Sequence, residues 1–142
     1  MRLTRASDFA LRILILLLKT EGALSVETIA ERLGLPKSHV MKIVSQLAAG
    51  GFVATQRGRA GGVRIMEDKG EISVGSVIRA IETEFAVVDC LGKSGPQCAF
   101  EPRCALKSAM VEATDAFLHV LDQYSVSDIA GRSQHPRLES LD

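Results

Sequence analysis

Three segments in the N-terminal half of the chain place apolar residues three and four positions apart, which predicts amphipathic helices. The first covers residues 7–19, with Thr4 or Ser7 as its N-cap. The second begins at Ser25 and the third runs over 36–49, with only a short turn between them. A glycine follows each segment, as it does at many helix C-termini. We therefore predict three helices, of which the last two form a helix–turn–helix.

Two short segments with strand-like composition follow the third helix. They cover residues 52–55 and 62–66, and the glycine-rich stretch between them carries Arg57 and Arg59. The order helix, helix–turn–helix, hairpin is that of a winged helix-turn-helix, which we place at residues 1–70. The predicted fold class is therefore mainly α with a small β-hairpin wing.

Helical spacing returns after the hairpin. Residues 74–81 predict a short helix and residues 105–121 a long one, roughly 25 Å in length at 1.5 Å per residue. One apolar stripe of the long helix can pack on the winged domain, and its other apolar positions favour a second copy of the same helix. We predict a linking helix and cysteine loop over 71–104, a dimerisation helix over 105–130 and a flexible tail over 131–142.

The charges are distributed unevenly, although the formal net charge of the 142 residues is zero. Residues 1–70 hold 11 Lys and Arg against 6 Asp and Glu, and residues 71–142 hold 6 against 11. A basic half favours a polyanionic partner. With no Trp and a single Tyr, the chain lacks the aromatic residues of a base-stacking single-strand binder, which favours duplex DNA.

The longest apolar run has six residues, 13–18, where a membrane span needs about twenty. No small-residue cleavage site follows the N-terminal arginines, so we expect neither a transmembrane helix nor a signal peptide. The chain also lacks a Gly-rich phosphate loop and an HExxH motif, so we expect no enzyme.

The third helix carries short polar and cationic side chains near its N-terminus, which a helix in the major groove requires. Arginines at a wing tip are suited to an adjacent narrow minor groove. The alternative is a solvent-exposed face on a winged helix that docks to proteins. The candidate DNA contacts are Lys37, Ser38, His39, Lys42, Arg57 and Arg59.

Three cysteines, Cys90, Cys98 and Cys104, lie in one Gly- and Pro-containing segment with the spacing C-x7-C-x5-C. We call residues 90–104 the cysteine segment. An odd number confined to one segment indicates a reducing, cytoplasmic setting rather than a disulfide scaffold. The spacing matches neither zinc-ribbon pairs nor the compact run of bacterial ferredoxins. We favour an iron–sulfur cluster over zinc as the metal group that these thiolates bind. A thiol–disulfide switch and inert cysteines stay open as alternatives.

The opening residues 1–4 (MRLT), the hairpin residues 57–62 (RGRAGG) and the three-cysteine loop resemble the iron–sulfur winged-helix regulators of the IscR, NsrR and RirA types. The resemblance runs from Met1 to about Ala130. It implies a homodimer that binds an inverted-repeat operator, with the cluster between the DNA-binding and dimerisation parts.

The types within this family differ in their ligands. IscR-type proteins carry a ligand His three positions after the third cysteine, where this chain has Lys107. NsrR-type nitric-oxide sensors use an N-terminal Asp as the fourth ligand of a [4Fe–4S] cluster that the other subunit holds. This chain resembles them in having Asp8 at that place. RirA-type iron sensors are similar in the spacing of the first two cysteines.

The resemblance therefore implies, most closely, an NsrR-type repressor that senses nitric oxide. Its [4Fe–4S] ligands would be Cys90, Cys98, Cys104 and Asp8. An iron-responsive RirA-like repressor is the alternative within the family, and [2Fe–2S] and zinc are the alternative cofactors. A winged-helix binding module without sensing, zinc-stabilised or metal-free, is the alternative from another class.

Overall fold

The computed structural model describes residues 3–56, 58, 61–66, 72–92 and 98–132. Within these residues the chain forms six α-helices and one antiparallel hairpin, so the predicted fold class is confirmed. In chain order the elements are α1 (Arg5–Leu18), α2 (Val26–Leu33), α3 (Lys37–Ala49), β1 (Val53–Gln56), β2 (Gly62–Ile65), α4 (Val74–Ile81), α5 (Ala105–Asp122) and α6 (Val126–Arg132). A 3₁₀ turn, Asp89–Leu91, overlaps the start of the cysteine segment.

Local capping explains where the first helices begin and end. Thr4 is the N-cap of α1, and its hydroxyl accepts a hydrogen bond from the Ser7 N–H. Ser25 caps α2 in the same way, and Gly34 ends that helix in the left-handed conformation with a φ of 63°. Pro36 is the N-cap of α3, one position before the helical position predicted for it. Of the two candidate caps for α1, therefore, Thr4 serves and Ser7 lies inside the first turn.

The hairpin is fixed to the helical part of the domain by its second strand. Val53 lies opposite Ile65 in the antiparallel pair. Beyond this pair, Val63 exchanges two backbone hydrogen bonds with Leu24, of 2.8 and 3.0 Å. Gly62 allows this close approach, because a Cβ there would lie 2.8 Å from the Leu24 carbonyl oxygen. The second strand of the wing is thus hydrogen-bonded to the segment before α2. The predicted wing arginines, 57 and 59, lie outside the described residues.

One continuous core joins the winged domain to the C-terminal helices. α4 packs against α1, α3 and α5, and α6 packs against α1. The backbones of residues 72–74 and 124–126 also pair, through an isolated bridge between Ser73 and Ser125. The buried apolar residues that fill this core include Ile13, Leu14, Leu16, Ile29, Val40, Leu47, Val77, Ile78, Leu118 and Val126. The linking helix is therefore part of the packed structure that supports α1 and α3.

Only one stripe of α5 is buried in the single chain. Thr114 and Leu118 are buried, whereas Leu106, Val111 and Val120 are 57%, 44% and 51% exposed. Helices of soluble domains rarely leave so many apolar side chains in water without a partner. This pattern favours the predicted role in dimerisation, which stays a prediction. The predicted tail beyond residue 132 lies outside the described residues. In the described part of the chain, no helix combines the length and hydropathy that a membrane crossing requires.

Gly75 of α4 lies against an ion pair that joins α4 to α5. Arg79 of α4 donates two hydrogen bonds to the Asp122 carboxylate, of 2.5 and 2.7 Å. These bonds raise the pKa of Arg79 and lower the pKa of Asp122. A Cβ at Gly75 would lie 2.0 Å from the Asp122 Oδ1 atom. A larger residue at position 75 would therefore displace the Asp122 carboxylate from its present position.

We expect Gly75→Ala to have a lower free energy of unfolding than Gly131→Ala, because Asp122 must leave Arg79 to make room for the methyl group at position 75. Gly131→Ala is the matched control, because a Cβ there meets no atom within 4 Å. That control should change stability by no more than about 0.5–1 kcal/mol, in the stabilising direction if the alanine favours α6. Urea unfolding at one fixed protein concentration measures both variants. Equal stabilities would contradict the close contact.

Candidate DNA interface and cysteine segment

The second helix of the helix–turn–helix presents its polar side to solvent. One face of α3 is buried through Val40, Ile43, Val44 and Leu47. All four residues predicted on this helix as DNA contacts are exposed, namely Lys37, Ser38, His39 and Lys42. Met41 is also 54% exposed on this helix, although the sequence analysis did not select it. The exposed face of α3 is therefore available to a partner.

The two lysines of this face differ in their surroundings. Lys37 forms an ion pair with Glu27 of α2, and this hydrogen bond lowers the pKa of the Glu27 carboxyl. Among the described residues, Lys42 forms no such ion pair. A cation that already has a carboxylate partner must give it up, or share it, to contact a phosphate. Lys42 is therefore the stronger candidate for a phosphate contact.

His39 connects α3, the predicted recognition helix, to α1. Its ring lies against the ring of Phe9, with centroids 6.3 Å apart and planes tilted by 31°. Both residues line a cleft of about 320 Å³ between the start of α1, α3 and the end of α4. His39 thus has a contact within the fold in addition to its predicted role at the DNA surface.

Asp8 lies in the first turn of α1, next to Phe9. Its carboxylate is paired with Arg12 one turn later, through Nε–Oδ1 and Nη2–Oδ2 distances of 2.9 Å each. The Asp8 side chain is 48% exposed in the single chain. A surface ion pair of this kind contributes little stability, about 0.3–0.5 kcal/mol. The Asp8 carboxylate can therefore exchange Arg12 for another partner at small cost.

The three cysteines are free thiols, and all are half-buried. Cys90 lies in the 3₁₀ turn, and Cys98 begins the described stretch that leads to α5. Cys104 is the N-cap of α5, where its Sγ accepts a hydrogen bond of 3.4 Å from the Lys107 N–H. Cys104 therefore has a structural task at a helix terminus besides its predicted role as a ligand.

Lys107 interacts electrostatically with two of these thiols. The hydrogen bond from its ammonium group to the Glu101 carboxylate is the main reason that the pKa of Lys107 is raised. The charges of Cys90 and Cys104 add to the increase, which places both sulfurs within electrostatic reach of one cation. Cysteine thiolates are ligands that suit iron–sulfur clusters and zinc, so the donor set fits such a group. Over the described ranges, however, no three His, Cys, Asp or Glu side chains stand together as a ready metal site.

Glu82, which the sequence analysis did not single out, holds the start of α1. It is the C-cap residue of α4, and its Oε1 atom accepts hydrogen bonds from the Thr4 N–H, the Thr4 hydroxyl and the Ser7 hydroxyl, at 2.8, 2.9 and 2.7 Å. Partial burial acts to raise the pKa of Glu82, but the bonds from Ser7 and Thr4 outweigh it, and the pKa is lowered. No pattern in the sequence could identify this contact, because it joins residues 75 positions apart.

A helix–turn–helix with an exposed cationic second helix, followed by an antiparallel wing, defines a winged-helix DNA-binding protein. Residues 3–132 match the family described as Rrf2, iron-dependent transcriptional regulator. The chain belongs to the Rrf2 family of transcriptional regulators, and this membership implies that it binds DNA.

Relatives and solved structures agree with this membership. The HTH-type transcriptional regulator NsrR of Bacillus subtilis is 40% identical over 131 residues, which cover 91% of this chain and 90% of that protein. The oxidized form of CymR from Staphylococcus aureus has a TM-score of 0.72 at 26% identity, over 95% of this chain and 100% of that one. IscR of T. potens has a TM-score of 0.72 at 22% identity, over 94% and 89% of the two chains, and shows likeness of fold alone.

Two sequence predictions are confirmed by these relatives. The resemblance to winged-helix regulators, and to the NsrR type in particular, is confirmed. The expectation that the chain is not an enzyme is also confirmed, because the relatives are transcriptional regulators.

Proposed function

We propose that the chain is a dimeric, cytoplasmic repressor that responds to nitric oxide through a [4Fe–4S] cluster. The proposed ligands are Cys90, Cys98 and Cys104 of one subunit and Asp8 of the other. The observation that carries the proposal is the similarity to NsrR over 91% of the chain, in a protein with three free thiols and an exposed Asp8 carboxylate. The resemblance supplies the signal, since NsrR-type regulators are nitric-oxide sensors.

Asp8 is suited to be the exchangeable ligand. A carboxylate is a harder ligand than a thiolate and leaves iron more readily. When bound, the cluster supplies iron that reacts with nitric oxide. A released Asp8 carboxylate has a partner at hand in Arg12, at 2.9 Å. Asp8 thus has two alternative partners, of which the cluster would tie the first turn of α1 to the other subunit, whereas Arg12, on the same helix, would leave that turn free to move.

The first turn of α1 is in contact with the recognition helix. Phe9, the residue after Asp8, packs against His39 of α3. A dimer reads two half-sites about 34 Å apart, or a multiple of that distance, so a small displacement of either α3 weakens operator binding. The candidate operator contacts are Lys37, Ser38, His39 and Lys42 on α3, with Arg57 and Arg59 on the wing.

The second subunit would pack on α5. The apolar side chains of Leu106, Val111 and Val120 are exposed in the single chain and would be buried between two copies of this helix. A homodimer also supplies the geometry that the ligand set requires, because Asp8 and the thiols are proposed to come from different subunits. An inverted-repeat operator then follows from the two-fold symmetry.

An iron-responsive repressor is the second candidate function. The description of the matching family as iron-dependent regulators favours it. Both candidates use the same thiols, so they differ in which chemical change releases the operator rather than in the residues that bind the cluster.

Anaerobic native mass spectrometry of the reconstituted protein, titrated with nitric oxide, tests the proposal. We expect a dimer with one [4Fe–4S] cluster per subunit, which low nitric oxide converts stepwise into nitrosylated species. We expect Asp8→Ala to keep the dimer mass but to alter the visible spectrum and the rate of nitrosylation. Glu31→Ala, which removes an exposed carboxylate of α2, is the control and should behave as the unchanged protein.

The same titration separates the alternatives. A cluster that ignores low nitric oxide but is lost to an iron chelator would favour the iron-responsive repressor. A mass that matches zinc, or no metal, would contradict both candidates and leave a DNA-binding module without a cluster. Asp8→Ala with unchanged spectrum, cluster stability and nitrosylation rate would contradict the ligand role of Asp8 alone.

A further inference from the structure

One carboxylate connects the cysteine segment to the DNA-binding helices. Glu82 closes α4 and precedes by eight positions Cys90, the first cysteine of that segment. Its Oε1 atom accepts three hydrogen bonds of 2.7 to 2.9 Å from Thr4 and Ser7, which form the first turn of α1. No other described contact joins the end of α4 to this turn so directly.

The hydrogen bonds between Glu82 and the first turn of α1 are costly to break. The start of a helix carries unpaired N–H groups and a partial positive charge, both of which favour an anion. Ser7 is fully buried, so its hydroxyl would have no water to replace Glu82 if the carboxylate moved away. Separation of Glu82 from the first turn of α1 is therefore costly, which favours movement of the two as one unit.

The contact of Glu82 with Thr4 and Ser7 joins two parts of the molecule that the proposed function uses. On the α1 side, the turn continues into Asp8 and into Phe9, which contacts His39 of the recognition helix. On the other side, the chain runs from Glu82 into the segment with Cys90. The helix α4 is also clamped to α5, which Cys104 caps, by the ion pair between Arg79 and Asp122.

We infer that Glu82 is a positioning residue that transmits changes in the cysteine segment to the recognition helix through the first turn of α1. The inference deepens the proposed function and rests on it, in that the cysteine segment is taken as the sensing part. It assigns a role to a residue that is neither a proposed cluster ligand nor a proposed DNA contact. The coupling itself, however, is a property of the folded chain and can be measured without a cluster.

The experiment uses the reciprocity of coupling. If the cysteine segment affects operator affinity, then DNA binding must shift the conformational equilibrium of the cysteine segment, and the access of a small reagent to Cys90 changes with that equilibrium. The readout is the rate at which iodoacetamide alkylates Cys90 in the reduced, cluster-free protein, followed by mass spectrometry at one fixed pH. Rates are compared without DNA and with a duplex that the cluster-free wild-type protein itself has selected from a randomised pool, at a duplex concentration that saturates binding.

We expect DNA to change the alkylation rate of Cys90 by about fivefold or more in the wild-type protein. Glu82→Gln keeps the shape of the side chain but weakens all three hydrogen bonds, because a neutral carbonyl is a poorer acceptor than a carboxylate. In this variant the effect of DNA should fall below about twofold. Glu31→Gln, the same chemical change at an exposed site on α2, should retain the full effect.

Ser7→Ala provides an independent route to the same test. It removes one of the three donors and leaves no buried hydroxyl without a partner, so it should fold even if Glu82→Gln does not. We expect it to reduce the effect of DNA on Cys90 at least about twofold, and we expect the double variant to lose no more than Glu82→Gln alone. Far-UV circular dichroism and urea unfolding verify that each variant is folded.

Two results would overturn the inference. One is an unchanged alkylation rate of Cys90 when the unchanged protein binds DNA. The other is a full effect of DNA in both Glu82→Gln and Ser7→Ala. Neither depends on the cluster, so a protein that binds no iron–sulfur cluster would contradict the proposed function and still give a decision on Glu82.

Discussion

Cys104→Ser will lose iron and keep its stability. Cys104 has two tasks, as a proposed ligand and as the N-cap of α5 that accepts the Lys107 N–H. Serine is among the preferred N-cap residues, so its hydroxyl preserves the cap. A serine oxygen is a much poorer ligand than a thiolate for an iron–sulfur cluster. We therefore expect iron content after anaerobic reconstitution to fall about tenfold or more, with unfolding in urea unchanged within about 0.5 kcal/mol.

The converse variant is Ser73→Ala. Ser73 caps α4, where its hydroxyl accepts a hydrogen bond of 3.0 Å from the Ser76 N–H. Its loss should cost about 1 kcal/mol of stability and leave the iron content unchanged. Metal analysis, visible absorbance and urea unfolding on the same samples separate the two effects. Full iron content in Cys104→Ser would contradict the proposed ligand set, because the cluster would then be held without the third thiolate.

Lys42→Ala will weaken operator binding more than Lys37→Ala does. Both lysines are exposed on α3, but Lys37 already has Glu27 as its partner. Each phosphate contact that is lost removes one released counterion and reduces the salt slope of log K by about 0.9. For Lys42→Ala we expect that reduction and a loss of affinity of about five- to tenfold at about 0.1 M salt. For Lys37→Ala we expect about half of this change in slope, because its charge is partly neutralised before DNA binds.

Fluorescence anisotropy with one labelled duplex, from about 50 to 200 mM salt, measures the affinity and the slope together. Lys19→Ala is the control, because it removes the same charge at the C-cap of α1, outside the recognition helix. It should leave the slope unchanged. If all three variants lose affinity equally, the effect is one of net charge, and α3 does not provide the contact.

Helices were predictable because the information that specifies them is local. The predicted helix over 74–81 agrees with α4 at both ends, and the long helix begins at residue 105 as predicted. Apolar spacing and caps depend on side chains within four positions of one another, so the sequence displays them directly. The first helix begins two residues earlier than its spacing indicates, because Thr4, not Ser7, is the cap.

The choice between those two caps shows where local information ends. Threonine and serine are both good N-cap residues, and either position suits the helix that follows. Ser7 instead turns inward to Glu82, which also accepts two hydrogen bonds from Thr4. The two residues therefore differ only because a third residue, distant along the chain, lies beside them.

Some features of the candidate site could likewise be identified from the sequence, and others only from the folded chain. Residue type and spacing were sufficient to select the three cysteines and the polar face of the recognition helix, whereas Asp8 was selected by the family resemblance. They could not separate Lys37 from Lys42, because the ion pair with Glu27 forms only when α2 packs against α3. They also gave His39 one predicted role, whereas the folded chain adds its contact with Phe9.

By itself, then, the sequence determined the order of the elements, the winged helix-turn-helix and the residue types available for chemistry, because these follow from neighbours within a few positions. The tertiary structure alone decided which carboxylate holds the start of α1, which lysine is already paired and which glycine leaves room for the ion pair between α4 and α5. These depend on contacts such as that between Ser7 and Glu82, 75 positions apart. Such contacts exist only after the chain has paid the entropy of bringing its distant segments together.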